Sequence, residues 1–333
     1  MKSRGQTVPA TGPGMGPGRP EDVPEAGRGD HARDDSIPGP PVATGPPLHP
    51  APVLMEILRR STQHLAAAGT PTPRLDAELI LAHVLGLSRI DLYLQFDRPL
   101  LEVELQPVRD LLRRRAAGCP VAYLLGKREF HSLTLSVSPA VLIPRPESEL
   151  LVDLGAALVD GRAARVLDLG CGSGCVGLAL ADAAPAARVD LVDVSPEAVD
   201  LTRRNAAAVG VADRVEVLRG HWLDPVLNRG PYDLVVSNPP YVTSAEWEGL
   251  DRDVRDFEPR LALDGGPDGL TGYREIMAVL PQVVRPGAAV LLEGDPRRLD
   301  QVAQLARDAW PDSRTTMRRD LGRRDRVLEV LVP

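Results

Sequence analysis

From residue 51 onward the apolar positions of the chain recur at helical spacing. Leu54, Ile57, Leu58 and Leu65 fall on one face, and Gly69 marks a stop. The same pattern predicts a second helix over residues 74–85, stopped by Gly86, and a third around 101–117, stopped by Gly118. Short amphipathic helices need partners, so these three predict a small bundle. Between 121 and 144 the β-branched and aromatic content rises. Residues 130–137 alternate with period two, which predicts a hairpin-like bridge.

Beyond the bridge, strand and helix patterns alternate. Strands are predicted at 165–169, 188–192, 215–218, 232–237, 288–292 and 327–331, with helices at 175–184 and 196–208. Such βαβ alternation predicts a largely parallel sheet covered on both faces, with ligands at the carboxyl ends of its strands. The expected organisation is a Pro/Gly-rich disordered tail over 1–50, a helical domain over 51–118, a β-hairpin linker over 119–146 and an α/β domain over 147–333.

Composition adds limits. Residues 1–50 hold 11 prolines and 9 glycines without a folded repeat. Hydrophobic residues make up 43 % of the 333-residue chain, enough for a substantial core. No apolar run of about 18 residues exists and the N-terminus lacks a signal-peptide core, which predicts a cytoplasmic protein without a membrane span. Cys119, Cys171 and Cys175 have neither disulfide-framework nor zinc spacing and read as reduced thiols; no metal site is expected. The formal charge of −7 argues against a broad footprint for duplex nucleic acid, though a local basic groove is compatible with it.

Chemistry concentrates in three places. Asn238-Pro239-Pro240-Tyr241 ends the apolar run 232–237. Its prolines fix the backbone and remove two donors, leaving carbonyls free to accept from an NH2 group; Asn238 adds an acceptor and Tyr241 a flat face. Gly170-Cys171-Gly172-Ser173-Gly174 runs from a strand into a helix, with GxGxG rather than GxGxxG spacing. Asp193 ends the next strand, 19 residues after Gly174, where a carboxylate can accept from both ribose hydroxyls. Ser195 is the better cap for the helix that follows. Asp168 reads equally as a turn-stabilising carboxylate or a ligand contact, and Cys171 as a small loop filler.

In that order, Asp168-Leu-Gly-Cys-Gly-Ser-Gly174, Asp193 and Asn238-Pro-Pro-Tyr241 resemble class I S-adenosylmethionine-dependent methyltransferases. Pro73-Arg-Leu-Asp-Ala-Glu78, Pro120-Val-Ala-Tyr123, Arg128-Glu-Phe130, Leu142-Ile-Pro-Arg-Pro-Glu147, Asp256-Phe-Glu-Pro259 and Leu263-Asp-Gly-Gly266 narrow the resemblance to the HemK/PrmC family. That family comprises the N5-glutamine methyltransferases of peptide chain release factors. The resemblance spans roughly 52–330 and implies a Rossmann-like, mainly parallel seven-stranded sheet.

The resemblance also implies roles. Residues 170–174 would wrap the methionine end of S-adenosylmethionine, Asp193 would hold its ribose, and Trp222 would stack on its adenine. The product would be S-adenosylhomocysteine. Asn238, Pro239, Pro240 and Tyr241 would hold the substrate amide, with Phe130 either walling the pocket or serving the core. The helical domain would recognise a release factor, and the enzyme would act as a monomer without direct nucleic-acid binding.

Three departures from the family pattern stand out: His221 replaces an acidic residue before Trp222, Ser148 replaces a threonine, and Leu292-Glu293-Gly294-Asp295 lacks an isoleucine after the glutamate. The last is expected to lie away from the chemistry. Methylation of a ribosomal-protein glutamine, or of adenine N6 or guanine N2 in nucleic acid, uses the same pocket chemistry. A binding module that keeps the fold without catalysis is the reading from another class.

Overall fold

Glycine stops and apolar stripes set the first layer. The computed structural model describes residues 51–333, and the 1–50 stretch expected to be disordered lies outside the described residues. Helices α1 (Leu54–Ala67), α2 (Pro73–Leu85), α3 (Arg89–Leu94), α4 (Glu102–Ala116) and α5 (Val121–Leu125) follow one another. Gly86 ends α2 with φ 64°, a left-handed geometry in which a Cβ is penalised. Leu54, Leu58 and Leu65 of α1 pack with Ile80 and Leu81 of α2 and Leu105, Val108 and Leu112 of α4. The buried pair Arg115–Asp76, at 2.6 Å, ties α4 to the first turn of α2.

The bridge is more than a hairpin. Strands β1 (Lys127–Phe130) and β2 (Leu133–Ser136) pair antiparallel around a turn at His131, whose φ is 51°. The 121–125 segment forms α5, and its Ala122, Tyr123 and Leu124 belong to the helical core, as do Val137, Val141 and Ile143. Ala198 and Leu201 from the α/β region join that same core, so the bundle continues into its neighbour through apolar contact.

A seven-stranded sheet organises the remainder. Its strands are β3 (Arg165–Leu169), β4 (Arg188–Asp193), β5 (Val215–Arg219), β6 (Tyr232–Ser237), β7 (Val284–Glu293), β8 (Arg314–Arg319) and β9 (Asp325–Leu331), in the order β5-β4-β3-β6-β7-β9-β8. β9 runs opposite to the other strands, so its pairings with β7 and β8 are antiparallel and the rest are parallel. Helices α6 (Glu149–Val159), α7 (Cys175–Ala183) and α8 (Pro196–Val209) pack against one face, and α10 (Thr271–Val279) and α11 (Leu299–Ala309) against the other, with the short α9 (Arg252–Arg255) in the connection after β6. This is the α/β arrangement the alternation predicts. Helices α3, α5, α6, α9, α10 and α11 and strand β8 were not among the elements expected. Among the described residues no helix is long and apolar enough to cross a membrane.

Strand order brings the chemistry together. With β4, β3, β6 and β7 adjacent and parallel, the segments after Leu169, at Asp193, after Ser237 and at Glu293 all emerge at one edge of the sheet. Close packing beneath that edge leaves little room. A Cβ on Gly177, in the first turn of α7, would stand 2.6 Å from a Leu191 methyl and 2.8 Å from Asp168 Oδ2. Gly177→Ala is therefore expected to destabilise the protein by about 1–3 kcal/mol despite alanine's better helix propensity. A denaturation midpoint equal to or above wild type would refute that packing.

Candidate functional site

The loop after β3 is shaped by backbone geometry that only glycine adopts easily. Gly170, Gly172 and Gly174 have φ of 70°, 57° and 80°. Its N–H groups are committed in pairs: Gly170 and Cys171 both donate to the Val192 carbonyl at 2.9 and 3.0 Å. Gly172 donates to Asp193 Oδ2 at 2.8 Å. From α8, Thr202 donates to the Gly172 carbonyl at 2.9 Å, and Asn205 donates to the carbonyls of Ser173 and Ser136. Asn205 thereby fastens the loop to the hairpin.

Asp168 and Asp193 divide the two roles left open for acids here. Asp168 is buried beneath the loop, accepts the Gly177 N–H at 2.8 Å and so supports the start of α7. Burial pushes its carboxyl up to about 7, against the pull of that N–H. Asp193 accepts from Gly172 through one oxygen and from the Ser195 N–H through the other, while Ser195 itself caps α8 through the Ala198 N–H. Burial raises the Asp193 carboxyl, and the backbone N–H groups of Ser195 and Gly172 oppose the shift. Its carboxylate lies on the wall of a cavity of about 230 Å³.

That cavity also receives Trp222 and Asn238. The indole lies between two glycines, 3.4 Å from where a Gly170 Cβ would stand and 3.1 Å from that of Gly272. Its Nε1 donates to Glu275 Oε2 at 2.6 Å, and His221 Nε2 lies 3.5 Å from the same oxygen. An acid from α10 is thus at the indole even though His221 precedes it. A smaller cavity shares Leu142, Gly170, Gly172 and Asn238 with the first, and adds Asp168, Cys171, Ser173 and Arg145 to its walls. The Ser173 hydroxyl is buried there and makes no hydrogen bond among the described residues.

Asn238 stands between the two cavities. Its Nδ2 donates to Ser148 Oγ at 3.2 Å, which leaves Oδ1 as the outward acceptor. Downstream, two glycines press directly on the motif's backbone: a Cβ at Gly265 would sit 2.5 Å from the Pro240 carbonyl oxygen, and one at Gly269 2.4 Å from that of Tyr241. With those carbonyls packed away, the Pro239 carbonyl remains; among the described residues no backbone N–H is bonded to it. Val242 pairs with Asp264 in a single parallel bridge that holds the motif against 263–265.

Not every expected residue reaches the cavities: of the motif, Asn238 and Pro240 line them, whereas Pro239 is buried and lies off both walls. Phe130 is buried in the core with Leu133, Leu135 and Leu151 and lies off the cavity walls, so its place is structural. Tyr241 packs on the second core beside the motif, where burial pushes its hydroxyl up to about 12. Gly174 turns the chain into α7 and meets Thr202 and Leu178 instead of the cavity. Cys171 and Cys175 are free thiols; burial raises the first well above the ordinary thiol range and the second to about 12, so neither is a ready nucleophile.

Glu293 corrects the expectation that its segment lies away from the chemistry. Ser237 pairs with Leu292, so the next residues, Asn238 and Glu293, leave neighbouring strands side by side. Ser148 stood out in the sequence only as a replacement for threonine, and Asn205 and Glu275 did not stand out at all. For Asn205 a signal existed, because it continues the face of α8 that carries Ala198, Leu201 and Thr202.

The cavity walls bring together the Asp193 carboxylate, the Trp222 indole and the Asn238 side-chain amide. The PrmC N-terminal domain family matches residues 56–126, and the Methyltransferase small domain family matches 147–250. A release factor glutamine methyltransferase from Chlorobaculum tepidum is 39 % identical over 289 residues, covering 84 % of this chain and 97 % of that protein. One from Geobacter sulfurreducens is 42 % identical over 240 residues, covering 72 % and 83 %. Among solved structures, the catalytic domain of hMettl16 shares the fold at a TM-score of 0.50 and 18 % identity, over 67 % of this chain and 82 % of that one. Similarity of that extent over both the helical and the α/β regions means that the chain belongs to the release factor glutamine methyltransferase family.

Proposed function

We propose that the protein transfers a methyl group from S-adenosylmethionine to the side-chain N5 of the glutamine in the Gly-Gly-Gln loop of peptide chain release factors. The observation that carries this reading is the Asn238 side chain, held by Ser148 with its oxygen outward at the junction of the two cavities. Asp193 suits the ribose hydroxyls, Trp222 the adenine, and the 170–174 loop with the unpartnered Ser173 hydroxyl the methionine end. When bound, S-adenosylmethionine supplies an electrophilic methyl on a sulfonium.

The chain's own work is placement. An amide nitrogen is a poor nucleophile because its lone pair is delocalised into the carbonyl. Asn238 Oδ1 and the Pro239 carbonyl accept the two N–H groups, orienting the nitrogen and raising its electron density. Methyl transfer would leave an N-methylated amide cation on the substrate, which would then lose a proton. Such a cation is strongly acidic, so the reaction requires no dedicated strong base.

Asp168 and Asp193 make cofactor binding pH-dependent. A cationic cofactor favours their ionised forms, whereas burial favours the protonated ones. Through Asp168, whose carboxyl burial brings up to about 7, binding is expected to release protons near neutrality and to weaken by up to about tenfold per pH unit below 7. Calorimetry in buffers of different ionisation heat reads this directly; proton uptake, or no exchange between pH 6 and 8, would contradict it.

The function itself is tested with labelled S-adenosylmethionine and a release factor, beside bulk DNA and RNA. Label in the release factor alone is expected. Label confined to nucleic acid would transfer the reading to adenine-N6 or guanine-N2 methylation.

A further inference from the structure

Asn238 works only if its oxygen, and not its NH2, faces the incoming amide. The two ends of an asparagine side chain are nearly the same size, so the hydrogen-bond partner behind it decides. That partner is Ser148, which is buried at the junction between the 146–148 turn and α6 and accepts from Asn238 Nδ2 at 3.2 Å. A hydroxyl can also donate, so Ser148 alone would support either orientation of Asn238. The next titratable group beyond it is the carboxyl of Glu293.

Glu293 ends β7 beside the first residue after β6 and is only 1 % exposed. Its Oε2 is buried without a hydrogen-bond partner. Burial and Glu147 oppose its ionised form, while the Ser148 hydroxyl beside it and the nearby Arg326 guanidinium favour that form. The charged groups around it are otherwise engaged. Arg145, from the 144–148 segment, is paired with Glu258. Arg326, from β9, is paired with Asp320 at 3.5 Å and donates to the Gly294 carbonyl. Cys175 of α7, Tyr241 after β6, Tyr273 of α10 and Asp295 complete the titratable surroundings; the Tyr273 hydroxyl donates to the Glu293 backbone carbonyl. Among the described residues this buried carboxyl has no ion pair, and no step above uses it.

We propose that Ser148 and Glu293 are positioning residues that set the hydrogen-bond polarity of Asn238. Ionised Glu293 accepts the Ser148 hydroxyl hydrogen, which leaves the Ser148 oxygen to accept from Asn238 Nδ2 and turns Asn238 Oδ1 toward the substrate amide. Protonated Glu293 donates to Ser148 instead. The Ser148 hydrogen then points at Asn238, the asparagine amide reverses, and its NH2 meets the NH2 of the glutamine. The relay thus acts as a switch: the site holds its substrate amide when Glu293 is charged and repels it when Glu293 is neutral.

The inference rests on the glutamine-methylation reading, and its test separates the two. Turnover is measured at saturating S-adenosylmethionine and release factor from pH 5.5 to 9, so that titration of Asp168 enters cofactor affinity and not kcat. Wild-type kcat is expected to fall about tenfold per pH unit below a break near 7, where burial places the Glu293 carboxyl. Glu293→Gln offers Ser148 an acceptor that does not protonate, so the break should vanish. Ser148→Ala should lower kcat at least about tenfold throughout and also lose the break, and Ser148→Thr should restore both. A break of unchanged position in Glu293→Gln, or in Ser148→Ala, overturns the relay. If Glu293→Gln does not fold, the two Ser148 variants still decide. A wild-type enzyme that leaves the release factor unlabelled fails the proposed function, whereas one that labels it with superimposable variant profiles fails only the relay.

Discussion

Asn238→Ala is expected to lower kcat for methyl transfer by roughly 10²–10³-fold, the cost of removing one preorganised hydrogen-bonding group from a site where charge develops. Two losses combine. The Oδ1 acceptor disappears, and Ser148 loses the Nδ2–H it accepts. The glycine loop, Asp193 and Trp222 are held by bonds that do not involve Asn238, so cofactor affinity should change by only a few-fold. Calorimetry beside single-turnover kinetics separates the two quantities. A fall in cofactor affinity matching the fall in rate would make Asn238 a cofactor residue first.

Asp193→Ala should show the opposite division. The carboxylate satisfies the Gly172 N–H at 2.8 Å and the Ser195 N–H at 2.9 Å, so its loss loosens the loop as well as removing acceptors for a diol. Two charge-assisted hydrogen bonds at about 1.5–3 kcal/mol each put the loss of cofactor affinity at about 10²-fold or more. Asp193→Asn keeps an acceptor and should recover part of it. Unchanged affinity in the alanine variant would leave Asp193 with a role in the turn alone.

The parts of the fold that were legible are those whose burial is uniform. Strands β3 and β6 are buried along nearly their whole lengths, and their limits coincide with the apolar runs 165–169 and 232–237. Strand β8 was not legible: Arg314, Arg318 and Arg319 give an edge strand no apolar signal, and only pairing with β9 makes it a strand. The N-terminal part of β7, through Arg285, Pro286 and Gly287, hides for the same reason. Helix α11 is different, because Leu299, Val302, Ala303 and Ala306 follow helical spacing and carry a readable signal.

The site divides along similar lines. Its glycines, Asp193 and Asn238 announce themselves because each is tied to a short local motif. Phe130 reads as inward-facing from its alternation, but period two gives a face and not a destination; that face is the core under the hairpin. Ser148 and Glu293 lie 90 and 55 residues from Asn238 along the chain and meet it only through the order of strands β6 and β7, which no local pattern states. Glu275 reaches Trp222 across a connection of 53 residues. Contacts made by topology are where sequence reading stopped.

The central claim is that a glutamine side-chain amide is the methyl acceptor. The most direct measurement incubates the full chain with labelled S-adenosylmethionine and either a release factor or its Gly-Gly-Gln variant carrying alanine for glutamine, then maps the label by peptide mass spectrometry. The account predicts label on the side-chain nitrogen of that one glutamine and none in the alanine variant. Equal labelling of both proteins would contradict it.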